Sequence, residues 1–341
     1  MKRLTCIIIF SILFLGLRAD NYSEIVNLEG RWKFSAGDNP AWSSPAFDDS
    51  DWDEIRVPRT WESQGYQGYD GFAWYRKSFS LPPVPENEKI VLILGSIDDT
   101  DEVYFNGEKI GSTGRPFPDF YTGYTHQRRY VIPGDLLIPD GKNQISVRVY
   151  DAYLDGGIID GPVGLFLDKS AGLLELDLSG DWRFKVIGSH PFAAEGTDNS
   201  GWKSIKVPSD WESQGYYNYD GKAVYMLNFY MPVKLKGEKL YLILGRIDDI
   251  EQVQFNDQTI GSFTNFTRDP NKAYDEFRYY ALPGDLIKFG NSNHIIVMVE
   301  DHRGPGGIIE GPVGIAREAN IDKLKSYNDP DRSIWDYLFD D

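Results

Sequence analysis

Cysteine is nearly absent: Cys6 is the only one in 341 residues, and it lies early in the first apolar stretch. Without it the rest of the chain has no disulfide framework and no thiolate metal site. Histidine is sparse too. His126, His190, His294 and His302 form no H-E-x-x-H pair. His302 alone has acidic neighbours, in Glu300-Asp-His-Arg303, and a solvated loop side chain accounts for it more simply than a catalytic base. A G-x-S-x-G nucleophile elbow is missing. The longest apolar run, residues 5–17, falls short of the ~20 residues a spanning helix needs. No window sustains a 3.6-residue apolar period, so long helices are not expected. Positive charge is also short, with 35 Lys and Arg against 52 Asp and Glu, a net −17. That field repels phosphate backbones and no basic stripe offsets it, which excludes nucleic acid and disfavours strongly anionic polysaccharides.

What is present is a repeat. Residues 57–71 read VPRTWESQGYQGYDG, and residues 207–221 read VPSDWESQGYYNYDG. The same offset of 150 aligns LILGSIDDTDEVYFNGEKIGS (92–112) with LILGRIDDIEQVQFNDQTIGS (242–262), and GGIIDGPVG (156–164) with GGIIEGPVG (306–314). Such a period is too long for a solenoid unit and matches one ordinary domain. The expected organisation is one copy over 28–168, a second over 176–318 and a tail over 319–341. The joint of a few residues implies that the copies share an interface.

Each copy contains short apolar or alternating runs separated by turn residues. In the first these are 73–81, 90–94, 102–105, 129–132 and 144–150. Asn106-Gly107 is a two-residue hairpin signal, because both positions must take positive φ, and Asn256-Asp257 is its weaker twin. Pro133-Gly134-Asp135 and Pro283-Gly284-Asp285 mark a second shared turn. Eight or nine short strands per copy predict an all-β chain of two tandem antiparallel β-sandwich domains of jelly-roll type.

Lys2 and Arg3, the apolar run and Ala19 read as an export signal over 1–19, with an uncleaved anchor as the alternative. Export without disulfides fits a bacterial periplasm or cell surface. Asn21-Tyr-Ser and Asn265-Phe-Thr are sequons of the kind that arise by chance. In the tail, Ile334, Trp335, Tyr337, Leu338 and Phe339 are too apolar for a free end and are expected to dock on a domain groove or a partner.

The combination GRWKF (30–34), FDDSDW (47–52), VP…WESQGY…YDG…WYR (57–76), GSID (95–98) and EVYFNG…G (102–111) resembles the N-terminal sugar-binding domain of glycoside hydrolase family two, β-galactosidases included. It is similar also to related domains of bacterial sialate O-acetylesterases. The resemblance covers nearly all of both copies and implies a galactose-binding-like fold. It does not imply an activity, since such domains accompany many catalytic partners. Family-two glycosidases place two glutamates on a β/α barrel, and no βα alternation appears in this sequence. The G-D-S block of the esterases is missing too.

The expected binding surface is the aromatic loop Trp61, Glu62, Gln64, Tyr66, Tyr69 and Asp70, with its twin Trp211, Glu212, Gln214, Tyr216, Tyr219 and Asp220. Aromatic rings stack on the C–H face of a sugar, and carboxylates and amides accept its hydroxyls. The competing explanation is that these rings lock the loop onto the sandwich. On the binding reading, Trp61→Ala weakens glycan affinity and leaves the melting temperature almost unchanged. Acidic positions repeat as well: Asp98 with Asp248, Asp99 with Asp249, Asp151 with Asp301, and Asp160 with Glu310. Near glycine-rich turns they suit a structural calcium ion, although such residues also cap turns or pair with arginine, as Arg76 could. One strand changes character, WYRKS (74–78) becoming VYMLN (224–228). Charge lost there implies burial against the sister domain or a lost ligand contact, and the first copy is the better candidate binder.

The resulting expectation is an exported, non-catalytic protein that binds neutral oligosaccharide or polysaccharide beside a glycosidase or another surface protein, with no catalytic residue and no cofactor beyond the possible calcium. The alternatives are a glycoside hydrolase or carbohydrate esterase, or a fragment of one, and a structural protein-interaction module.

Overall fold

The computed structural model describes residues 22–84, 88–124, 126–187, 201–263 and 276–328. The expected signal, both sequons' asparagines, His190 and the apolar residues 334–339 lie outside these.

The first half contains β1 (Tyr22–Asn27), β2 (Gly30–Ala36), β3 (Asp53–Val57), β4 (Gly71–Ser80), β5 (Ile90–Asp98), β6 (Thr100–Phe105), β7 (Glu108–Thr113), β8 (Gln127–Ile132), β9 (Lys142–Asp151), β10 (Gly157–Asp160) and β11 (Gly164–Asp168). They form a six-stranded sheet in the order β3-β2-β4-β9-β6-β7 and a five-stranded sheet around β5, which pairs with β8, β10 and β11, with β1 outside β11. All the strand pairs are antiparallel. The second half, from Leu174–Asp177 to Gly314–Arg317, repeats this succession and both sheet orders. The chain is two antiparallel β-sandwiches in tandem. It has more strands than the sequence indicated, because strands of five and four residues such as β3 and β10 are too short to establish a period.

Period-two alternation explains the packing. Ile145, Val147 and Val149 on β9 face inward with Val103 and Phe105, and meet Ile90, Leu92, Leu94 and Ile97 of β5 in one buried cluster. At about 25 cal/mol per Å² of apolar surface, large inward side chains supply most of the driving force of such a fold. The hairpin forms as expected, with Asn106 at φ 50° and Gly107 at φ 92°, and its twin with Asn256 at 46° and Asp257 at 67°.

Each sandwich buries one ion pair between its sheets. Arg128 of β8 donates to Asp101 of β6 at 2.6 Å with both side chains fully buried, and Tyr130 donates to the same carboxylate. The equivalent pair is Arg278 with Glu251, at 3.2 Å. Leaving either partner without the other would strand a buried charge.

The halves touch. Lys89 pairs with Asp177 at 2.8 Å, Arg129 donates to Glu310, and the Arg115 guanidinium lies 3.7 Å from the centre of the Tyr217 ring. Glu310 also holds Arg246 at 2.9 Å, so this repeated acidic position serves the junction in the second half.

On the changed strand, the first copy uses its arginine within its own sandwich. Arg76 is buried under residues 42–49 of its own sandwich, paired with Asp49 at 2.7 Å and bonded to the carbonyls of Trp42, Ser44 and Phe47. Phe47 and Trp52 flank the guanidinium.

The tail begins with a helix, Glu318–Tyr327, that the sequence did not announce. Ile321 and Leu324 are buried with Ile243 and Ala316, beside Leu174, Tyr241 and Tyr279. The Asn328 carbonyl accepts from Arg246 at 2.6 Å. The first part of the tail therefore docks on the second sandwich.

Candidate functional site: an aromatic cleft on the first sandwich

The WESQGY loop does not present its rings. Trp61 and Trp211 are fully buried, which corrects the expectation of a sugar platform there. Trp61 packs on Phe34 and Tyr69, 5.8 Å between ring centres in each case, and its indole N–H donates to the Tyr69 carbonyl at 3.2 Å. Trp211 does the same with Phe184 and Tyr219. A Cβ at Gly156 or Gly306 would collide with the indole, which is why both copies keep glycine there.

The polar members are also used internally. The Gln64 amide oxygen accepts the Arg56 N–H at 2.6 Å, and its nitrogen donates to the carbonyls of Arg56 and Thr60. Gln214 repeats this on Lys206 and Asp210. Tyr66 donates to Asp53, Tyr69 to the Phe72 carbonyl at 2.6 Å, and Tyr219 to the Lys222 carbonyl at 2.8 Å. Tyr216 packs edge-on against Phe184. Glu62 accepts the Gly156 N–H at 3.0 Å. These residues lock the loop. Only Asp70 and Asp220 remain exposed.

Glu212 is buried, with one oxygen accepting the Gly306 N–H at 3.0 Å and the other the Trp211 indole N–H at 2.6 Å. Burial, opposed by these bonds and reinforced by the Asp210 charge, pushes its carboxyl from the ordinary 4.5 up to about 8. The folded chain then keeps a proton that the unfolded chain has released. Stability is therefore full below pH 4.5, declines as pH rises toward about 8, and levels off above it. Melting temperatures measured from pH 5 to 9 should fall for the natural chain, and Glu212→Gln should flatten that slope. Equal slopes would contradict the assignment.

The rings that are presented lie elsewhere. Register places Phe72 of β4 opposite Tyr150 of β9, with Thr100 of β6 on the far side, and Trp74 opposite Arg148 with Glu102 beyond. These side chains share the outer face of the six-stranded sheet. Phe72 and Tyr150 have ring centres 4.6 Å apart, and Phe117 and Phe120 stack at 5.0 Å beside Tyr150. Phe117 is 52% exposed. Phe72, Tyr150 and Phe117 border a cleft of about 380 Å³ whose rim includes Glu102, Lys109, Arg115, Asp119 and Arg148, and across the junction Ser213 and Tyr217.

The cleft's charges are balanced. Arg148 pairs with Asp38 at 2.6 Å and lies 4.1 Å from the centre of the Phe72 ring; Lys109 pairs with Glu102 at 2.7 Å; Arg115 pairs with Asp119 at 3.2 Å. The Asp38 carboxyl is held below its ordinary range, chiefly by its Arg148 hydrogen bond. A site with aromatic faces, carboxylate acceptors and guanidinium donors already matched to carboxylates suits a polyhydroxylated, uncharged ligand.

Among the described residues, the second half does not repeat the aromatic pair. Lys222 and Glu300 stand where Phe72 and Tyr150 stand in the first, joined by a salt bridge of 3.2 Å, and Met298 replaces Arg148. Sequence reasoning missed the cleft because its residues break the repeat; the usable signal was the pair of aromatic positions turning into opposite charges.

The acidic repeats do converge. Asp98, Asp99 and Asp151 bring ligand oxygens within 4.8 Å of one another, as do Asp248, Asp249 and Asp301. Asp160 and Glu310 belong to neither cluster. His302 is a loop side chain, half-exposed, 3.3 Å from Asp249.

No family model matches the chain. A candidate beta-glucuronidase of Formosa agariphila is 30% identical over 155 residues, which are 42% of this chain and 14% of that protein. A beta-galactosidase of Bacteroides ovatus is 28% identical over 133 residues, 36% of this chain and 15% of that protein. Among solved structures, Bacteroides uniformis beta-glucuronidase 2 matches with 18% identity and a TM-score of 0.36, over 83% of this chain and 28% of that one. The chain spans about one seventh of the length of the curated relatives it matches. Its relatives are thus β-glucuronidases and β-galactosidases of glycoside hydrolase family two, and the likeness extends over a part of each.

Proposed function

We propose that this chain is an exported, non-catalytic carbohydrate-binding protein associated with glycan breakdown, and that it holds a neutral oligosaccharide in the cleft of its first sandwich. The observation that carries this reading is the group of Phe72, Tyr150 and Phe117, tilted and edge-on to one another beside paired charges, where the second half has the Lys222–Glu300 ion pair in place of Phe72 and Tyr150. Relatives named for sugar hydrolysis support the glycan association. The basic start and apolar run of residues 1–17 support export, and no helix among the described residues is long and apolar enough to cross a membrane. On this reading the protein presents a glycan to a glycosidase or holds it at the cell surface.

Stacking of one ring is worth about 0.5–1.5 kcal/mol. Phe117→Ala should therefore weaken binding of glucose- or galactose-based oligosaccharides about 2- to 13-fold by titration calorimetry, with an unchanged melting temperature because the ring is half-exposed. Unchanged affinity, or multiple-turnover release of reducing sugar or acetate by the purified chain, would overturn the proposal.

A further inference from the structure

The carboxylate clusters stand apart from the sugar reading and were found in both halves. In the first, Asp98 accepts the Asp99 N–H at 3.1 Å, Asp99 accepts the Ala152 N–H at 2.8 Å, and Asp151 accepts the Tyr153 N–H at 3.2 Å. Each carboxylate is thus anchored through one oxygen. In the second, Asp249 accepts the His302 N–H at 3.0 Å and Asp301 the Arg303 N–H at 3.1 Å.

The other oxygen of Asp151 and the other oxygen of Asp301 are buried and meet no donor. The two side chains are 0% and 2% exposed. A buried carboxylate oxygen without a partner is costly and uncommon. Two more carboxylates beside it raise that cost, and no lysine or arginine among the described residues forms an ion pair with Asp98, Asp99 or Asp151. Both orphaned oxygens fall at equivalent places in a repeated structure, so a local accident does not account for them.

We propose that each sandwich binds one calcium ion, held by Asp98, Asp99 and Asp151 in the first and by Asp248, Asp249 and Asp301 in the second. The donors are all hard oxygens, with neither thiolate nor a histidine shared by both sites, which selects against zinc and copper. Oxygens within 4.8 Å of one another fit around an ion bonded at about 2.3–2.6 Å, and three carboxylates plus water fill its six to eight positions. Magnesium needs about 2.0–2.1 Å and a nearly regular octahedron, which three anchored carboxylates do not offer. The ion also ties the β5–β6 corner to the end of β9, next to Tyr150, so it stiffens one wall of the cleft.

The test uses the full chain freed of metal with EDTA. Titration with calcium chloride should show about two ions per chain and raise the melting temperature by several degrees, with magnesium chloride having little effect. Asp151→Asn and Asp301→Asn should each reduce the stoichiometry to about one. Absence of binding heat together with an unchanged melting temperature would overturn the proposal, as would two ions retained by both variants or an equal response to magnesium. If a variant fails to fold by circular dichroism, the comparison of calcium, magnesium and EDTA on the natural chain still decides. Sugar affinity plays no part in these readouts, so failure here leaves the binding proposal standing, and the reverse.

Discussion

Trp61→Ala is expected to remove about 3–5 kcal/mol from the stability of the first sandwich. The ring is fully buried, packs on Phe34 and Tyr69, and spends its only donor on the Tyr69 carbonyl. Truncation leaves a void against Gly156, whose lack of a side chain makes room for the indole. It also orphans the carbonyl that the indole satisfied. Trp211→Ala should do the same to the second sandwich, because Phe184, Tyr219 and Gly306 reproduce the surroundings. Denaturant unfolding of each variant measures this directly, and the weakened half should melt first. A loss of glycan binding with unchanged stability would return the ring to the role its sequence suggested. A Trp-Tyr-Glu-Gln loop has the groups a sugar site needs. Those groups are consumed within the loop.

The second large effect concerns ligand. The two halves provide a natural exchange experiment, because Lys222 and Glu300 occupy the register positions of Phe72 and Tyr150 and pair at 3.2 Å. Phe72→Lys with Tyr150→Glu rewrites the cleft of the first half as the surface of the second. The fold should tolerate it, since the sister sheet carries the same pair on the same strands. Binding should fall by more than tenfold, because two aromatic faces worth about 0.5–1.5 kcal/mol each are lost together and two strongly hydrated charges replace them. A folded double variant that binds oligosaccharide as the natural chain does would remove the cleft from the account.

Much of the architecture was readable from the residues. The offset of 150 gave the duplication, and turns such as Asn106-Gly107 placed the hairpins. Runs such as 144–150 gave strands, since alternation survives wherever one face is buried and the other is not. The helix Glu318–Tyr327 was not readable, because its anchors Ile321 and Leu324 are too few to establish a period. Function was harder, for a physical reason. Repetition marks what both copies need in order to fold, as with Trp61 and Trp211, whereas the cleft is built from residues that differ between copies. Phe72, Phe117 and the β9 residues Arg148 and Tyr150 are distant in sequence and meet only through the register of β4, β9 and β6 and the loop beyond β7. The acidic positions were visible individually, but the orphaned oxygens of Asp151 and Asp301 required coordinates.

The central claim is that this duplicated scaffold grips an uncharged sugar through one half only. Calorimetric titration of the natural chain with a neutral oligosaccharide tests it most directly, through the number of sites. The account predicts about one site per chain, eliminated by the Phe72→Lys and Tyr150→Glu exchange. Two equivalent sites per chain, or one site that survives the exchange, would contradict it.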